Sequence, residues 1–133
     1  NCVFVSVHFN HGSSSAQGIE TYALAPQGTT RSRKEESTND DARFQGNSRD
    51  SENIALATAI HASLLHQTGA PDRGIMRDRW FVLKGIERPG VLLECGFVSN
   101  PTECGRINQV AYRDKLAMGI VSGIMNYRKA LSR

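Results

Sequence analysis

Residues 3–9 interleave β-branched and aromatic side chains with small polar ones, a pattern that predicts a β-strand. The turn formers at 10–15, Asn-His-Gly-Ser-Ser-Ser, end it. A second strand is predicted over 18–24, with Ile19, Thr21 and Ala23 on one face. Residues 51–67 carry Ile54, Ala57, Ile60 and Leu64 at helical spacing. Asn47, Ser48, Asp50 and Ser51 offer N-caps for that helix, and Gly69-Ala70-Pro71 stops it. Trp80-Phe81-Val82-Leu83 reads as a strand. Residues 90–95 read as another, whose unbroken apolar run predicts burial on both faces. Ser99-Asn100-Pro101 opens a short helix with proline in its first turn. A final helix over 111–131 places Leu116, Ile120, Ile124 and Tyr127 on one stripe and gathers Lys and Arg near its C-terminus. Strands alternating with helices predict a single α/β domain, a mixed or mostly parallel sheet flanked by helices.

One stretch breaks the pattern. Residues 25–49 are polar and charged, holding Arg31, Arg33, Lys34, Glu35, Glu36, Asp40 and Asp41, and Phe44 is their one large apolar side chain. Such a segment buries little surface, so it reads as a polar insert or lid within the domain. The favoured reading of its charges is a solvated insert.

Length and composition narrow the class without naming it. At 133 residues with 39% hydrophobic side chains, one domain can bury a core without disulfide or metal staples. No apolar run reaches the roughly 18 residues of a membrane span. The formal charge of +3 comes from basic residues spread along the chain, and no nucleic-acid reader motif accompanies them. Nucleic acid is therefore not an expected partner, whereas a mild positive charge suits any anionic polymer, bacterial wall material included. The three cysteines, Cys2, Cys95 and Cys104, have no zinc spacing. Cys95 reads as a buried thiol, a Cys95–Cys104 bridge being open only to an oxidising compartment. The chain opens at Asn1 directly on strand-forming residues, with no methionine and no leader, and is expected to be the remainder of a longer protein. Nothing in the sequence sets the oligomeric state.

Two residues stand out as chemistry. His8 lies near the end of the first strand and Glu94 near the end of the apolar one, at the sheet edge where open α/β sheets bind ligands. A carboxylate closing an apolar run must be paired, protonated or metal-associated. If the strands are neighbours, the two share a crevice and suit metal-assisted hydrolysis, with His8 as ligand and Glu94 as proton shuttle. Each also has a plain structural reading, as a hydrogen-bonded strand residue. Glu20, on the strand beside the first, is a candidate to support the site or touch substrate, or is simply a surface residue, and Asn10 is a candidate to support the site or touch substrate. His11 falls on the opposite face of a continued strand, and His61 and His66 sit on the predicted helix as ordinary packed or exposed histidines.

These residues occur in recognisable strings. Phe4-Val5-Ser6-Val7-His8-Phe9-Asn10 followed by Gly18-Ile19-Glu20-Thr21-Tyr22 resembles the "SIHxN … GxETY" segment of zinc-dependent N-acetylmuramoyl-L-alanine amidases, the amidase_3 family. Asp72-Arg73-Gly74-Ile75 and Phe81-Val82-Leu83-Lys84 resemble its "RGv … fxVLr" segment. Residues 89–101, Pro-Gly-Val-Leu-Leu-Glu-Cys-Gly-Phe-Val-Ser-Asn-Pro, are similar to its "PaxLvExGFlSNp" motif, and the last helix to its closing helix. The blocks follow the family's order over nearly the whole chain.

The resemblance implies hydrolysis of the amide between N-acetylmuramic acid and L-alanine in peptidoglycan or muropeptides. It implies zinc as cofactor, His8 as a metal ligand, Glu94 as the catalytic acid and base, and a location in the cell envelope, periplasmic or secreted. Nothing in the sequence matches the family's "DPGHGG" segment or the Glu that follows it, which carry two further zinc ligands and the first strand. The chain is therefore expected to be a C-terminal portion lacking the N-terminal strand, with weak zinc binding and little activity alone. Two rivals stand beside this reading: another metal-dependent peptidase of similar fold, and a non-catalytic wall-binding or inactive remnant domain.

Overall fold

The computed structural model describes residues 2–32 and 41–132. Arg33, Lys34, Glu35, Glu36 and Asp40 of the polar stretch lie outside the described residues. In chain order the elements are β1 (Phe4–Asn10), β2 (Ile19–Leu24), a 3-10 turn (Gln45–Arg49), α1 (Asp50–Thr68), β3 (Asp72–Asp78), α2 (Phe81–Lys84), β4 (Gly90–Phe97), α3 (Pro101–Ile107) and α4 (Val110–Leu131).

The unbroken apolar run becomes β4, the strand with β1 on one side and β2 on the other. All eight of its residues are buried, as its lack of alternation predicts. The sheet order is β1-β4-β2-β3, with β1 parallel to β4, β2 antiparallel to β4, and β3 parallel to β2. The sheet is thus mixed, with helices packed on it, as the alternating pattern predicts.

Alternation along the strands sorts side chains onto two faces. Ile19, Val91, Leu93 and Cys95 point towards α1 and α4, where Leu56, Ile60, Leu64, Leu116 and Tyr127 complete the larger core. Tyr22, Leu24 and Leu92 point the other way and are covered by Leu83, Phe44 and Trp80. Each fully buried leucine contributes about 2 kcal/mol through apolar area removed from water. The helix ends follow the chemistry of their residues. Gly69 closes α1 at φ 64°, a left-handed value that costs glycine nothing, and its N–H reaches the Leu65 carbonyl at 2.9 Å. The Asn100 side chain accepts from the N–H groups of Thr102 and Glu103, with Pro101 in the first turn of α3.

The strand expected at Trp80-Phe81-Val82-Leu83 is not one: Phe81–Lys84 is the short helix α2, and the strand lies earlier, at Asp72–Asp78. Trp80 and Leu83 pack into the second core while Phe81 is 85% exposed, a three-residue spacing that a strand cannot produce. The polar composition of β3 is tolerable because it lies at the sheet edge. The expected end of β4 at Cys95 also moves, to Phe97. The described ends of the polar stretch are tied to this edge. Ser32 N–H donates to the Arg77 carbonyl at 2.8 Å, and Arg79 donates to the carbonyls of Pro26 and Thr29 at 2.8 and 3.0 Å. Arg31 lies 3.9 Å from the Asp78 carboxylate. All three cysteines are free; burial, with the Glu94 charge adding to it, pushes the Cys95 thiol up to about 12.

Helices α1 and α4 cross closely because α4 presents Gly119 and Gly123 one turn apart. A Cβ at Gly123 would lie 2.4 Å from the Ile60 Cα and 2.9 Å from the Ala59 carbonyl oxygen. Gly123→Ala is therefore expected to destabilise the fold by about 2–3 kcal/mol in urea unfolding, since backbone cannot give way as a side-chain end can. Gly105→Ala, where a Cβ meets nothing within 4 Å inside α3, is expected to gain about 0.5–1 kcal/mol. Equal midpoints for the two variants would refute the close crossing.

Candidate functional site

The strand registers bring His8 and Glu94 together. His8 on β1 pairs with Glu94 on β4, and Glu94 in turn pairs with Glu20 on β2. Residues paired in register share a face, so the three form one row across the sheet, on the face away from α1 and α4. The next row towards the second core is Ser6, Leu92 and Tyr22. The condition set by the sequence, that the two strands be neighbours, is met.

Exposure differs sharply along the row. His8 is exposed at the sheet edge, with its Nε2 2.7 Å from the Ser6 hydroxyl. Glu94 is 8% exposed and Glu20 only 2%. A carboxylate as buried as Glu20 must be met by donors. It is met by three: Arg73 Nε at 2.7 Å on Oε1, and the Tyr22 hydroxyl at 2.7 Å and Asn10 Nδ2 at 3.1 Å on Oε2. Asn10 also accepts the His11 N–H at 2.8 Å, fixing the turn after β1. Arg73 lies over the Phe97 ring, 4.9 Å from its centroid. The loops beside the row are joined by Gly12 N–H donating to the Ser99 hydroxyl at 2.9 Å and Val98 N–H donating to the Asn10 carbonyl at 2.9 Å.

The other singled-out histidines lie apart. His11 is exposed past the end of β1, and His66 is exposed on α1. His61 is 6% exposed, bridging Thr21 Oγ1 at 2.9 Å and Asp72 Oδ1 at 2.9 Å, so it fastens α1 to β2 and β3. This is the packed role expected of a helix histidine.

Among the described residues, no group of three or more His, Cys, Asp or Glu side chains could hold a metal ion. Catalytic zinc commonly takes three protein ligands and a water. The described residues offer the row one imidazole, and so do not by themselves make up a zinc site. Sequence reasoning missed Arg73 and Phe97 as parts of this surface. The Arg-Gly pair at 73–74 inside a strand was the available signal, because a glycine there marks a bulge that re-aims its neighbour.

The mixed sheet and the helices packed on it have counterparts among the solved structures of a family of hydrolases. Residues 1–126 match the family model described as Amidase_3, N-acetylmuramoyl-L-alanine amidase, and the chain belongs to that family. It is 29% identical over 126 residues to the N-acetylmuramoyl-L-alanine amidase LytC of Bacillus subtilis, covering 94% of this chain and 21% of LytC. It is 30% identical over 125 residues to the uncharacterized protein YqiI of the same organism, covering 94% of this chain and 50% of YqiI. Among solved structures, the N-acetylmuramoyl-L-alanine amidase from Clostridium difficile 630 superposes with a TM-score of 0.71 at 30% identity, over 96% of this chain and 57% of that one. The catalytic domain of CwlV, an amidase from Bacillus (Paenibacillus) polymyxa, does so with a TM-score of 0.71 at 32% identity over the same shares. The chain thus spans half or less of these curated relatives and just over half of the solved chains. No helix among the described residues is long and apolar enough to cross a membrane.

The His61–Asp72 contact makes a pH prediction. The hydrogen bond from His61, with the Gly74 N–H adding to it, holds the Asp72 carboxyl below its ordinary 3.8. A depressed folded-state value means that the ionised contact stabilises the fold above the unfolded value and is lost as pH falls through the folded one. Thermal melts between pH 5 and pH 2 are expected to show a shallower acid decline for Asp72→Asn than for the wild type. Parallel declines would show that the contact contributes nothing.

Proposed function

We propose that this chain forms part of the catalytic domain of a zinc-dependent N-acetylmuramoyl-L-alanine amidase of the cell envelope, periplasmic or secreted, acting on peptidoglycan or muropeptides. The observation that carries the reading is the in-register pairing of His8 with Glu94 on the face away from α1 and α4. Family membership supports the substrate, the amide between N-acetylmuramic acid and L-alanine.

In this proposal Glu94 takes the proton of the attacking water and passes it to the departing amine of L-alanine. A carboxylate fixed on the central strand holds its position through both transfers. His8, exposed one strand away, is the proposed zinc ligand, and the ligands needed beside it are not found among the described residues. Zinc held by a full ligand set supplies Lewis-acid polarisation of the scissile carbonyl. Glu20 and Asn10 are proposed to support the row from behind, because their polar atoms are already engaged with Arg73, Tyr22 and His11.

Two outcomes test this. In the longest natural form of the protein, Glu94→Gln is expected to lower muropeptide turnover at least 100-fold while wall pelleting stays unchanged. Wall binding without turnover in the wild type as well would make the domain a non-catalytic wall-binding module, and cleavage at a different bond would make it another peptidase. Residues 1–133 alone are expected to retain well under one zinc per chain after dialysis, because one imidazole is a poor site. Metal analysis finding one tightly held zinc per chain would overturn the assignment of ligands.

A further inference from the structure

The guanidinium of Arg73 is anchored but not used up. Its Nε donates to Glu20, and its Cζ lies over the ring of Phe97, which is buried. The Arg73 side chain nevertheless remains 38% exposed. Among the described residues, the hydrogen bonds of Arg73 use Nε alone. Its two Nη nitrogens, a planar fork suited to a carboxylate, are left for a ligand. Glu20 does not compete for them, since its other oxygen is taken by Asn10 and Tyr22.

Position gives the fork a meaning. Arg73 lies on β3, two strands along the sheet from Glu94, because β2 lies between β3 and β4. At about 4.8 Å per strand, the two backbones are roughly 10 Å apart. A peptide chain advances about 3.5 Å per residue. If a scissile amide lies at Glu94 and L-alanine follows it, the α-carboxylate of the next residue falls about 7 Å further on. The reach of an arginine closes the remainder.

We propose that Arg73 is a specificity-determining residue that binds a carboxylate of the acidic peptide attached to the scissile amide, by a bidentate contact through its Nη nitrogens. This rests on the amidase reading for the place of the amide. Three features pre-organise the contact: the ion pair to Glu20, the ring of Phe97, and a backbone bulge at Gly74, whose φ is 93°. A flexible surface arginine would have to be ordered on binding, and this one is ordered beforehand.

The probes are muramoyl-L-alanine extended by one acidic residue, with the α-carboxylate of that residue free in one and amidated in the other. Both are measured with the longest natural form of the protein, by kcat/KM and, separately, by equilibrium binding followed through Trp80 fluorescence. The wild type is expected to favour the free carboxylate about tenfold, the worth of a charge-assisted pair. Arg73→Gln is expected to bring that ratio near one; because the ratio is taken within each variant, any general loss from uncovering Glu20 cancels. Arg73→Lys keeps a charge beside Glu20 but not the fork, and is expected to fall to about threefold. It carries the test if Arg73→Gln fails to fold. A wild type indifferent to amidation, or variants that keep its full preference, would overturn the proposal. Absence of turnover for either probe in the wild type would sink the amidase reading, and the binding ratio would still decide the role of Arg73.

Discussion

The arrangement of this surface depends on one register: β4 pairs with β1 so that Glu94 meets His8, and with β2 so that Glu94 meets Glu20. Side chains on a strand alternate, so a slip of one residue would send Glu94 into the helix-facing core and turn Cys95 out. The register is held because the alternate residues Val91, Leu93 and Cys95 are wholly buried against α1 and α4. The apolar side of β4 thereby places the polar side. A carboxylate on a central strand that is only 8% exposed is costly, and part of that cost is met by the charge that stands next to it.

That charge is Arg73. Glu94 and Glu20 are directly opposed on antiparallel strands, an arrangement in which two like charges repel. The ion pair between Arg73 and Glu20 offsets the inner carboxylate, so Glu94 stands beside a nearly neutral pair. Two bulges make this geometry. The β2–β3 register shifts around Arg73 and Gly74, and the β1–β4 register shifts around Gly96, whose φ is 133°. Each glycine takes a backbone conformation that other residues resist, and the pair aims Arg73 and Phe97 at one another. Glu103 secures the second bulge by accepting the N–H groups of Phe97 and Gly18 at 2.7 and 2.9 Å.

Much of this was legible in the sequence, and what was not has physical reasons. The strands at β1, β2 and β4 and both long helices follow from alternation, continuous apolar runs and turn formers, whereas the His8–Glu94 pair followed only if the two strands were neighbours, which the strand register alone decides. Helix α4 was readable from Leu116, Ile120, Ile124 and Tyr127, although its closest approach to α1 is made by Gly119 and Gly123, which carry no hydropathy signal. Strand β3 was hidden because an edge strand of Asp, Arg and Gly residues shows no apolar alternation, and its stability comes from pairing with β2. The apolar string at Trp80-Phe81-Val82-Leu83 drew the strand reading to itself. Four residues are too few for periodicity to separate a strand from a helical turn, and tertiary burial of Trp80 and Leu83 decided it. The site was half readable for a related reason. His8 and Glu94 stand at strand positions that any reading would notice, whereas the role of Arg73 exists only once a bulge brings β3 beside β2.

The boundary between core and site is a single step of the pleat. Leu92 packs with Leu83 and Tyr22 in the second core, and two residues on Glu94, still only 8% exposed, lies in the polar row. Tyr22 belongs to both regions, with its ring edge-on to Trp80 at 5.7 Å and its hydroxyl on Glu20 at 2.7 Å. An aromatic ring fixed by packing holds its hydroxyl more firmly than a flexible polar side chain would. The short helix α2 therefore acts on the site through Tyr22, although it contributes none of the row's own side chains. Functional groups set on strands and braced by the adjoining core keep their positions better than groups carried on loops. The row has that support on three sides: β1 and β2 flank Glu94, and the Tyr22–Trp80 contact stands behind it. Of the row's three side chains, His8 on β1 is the exposed one.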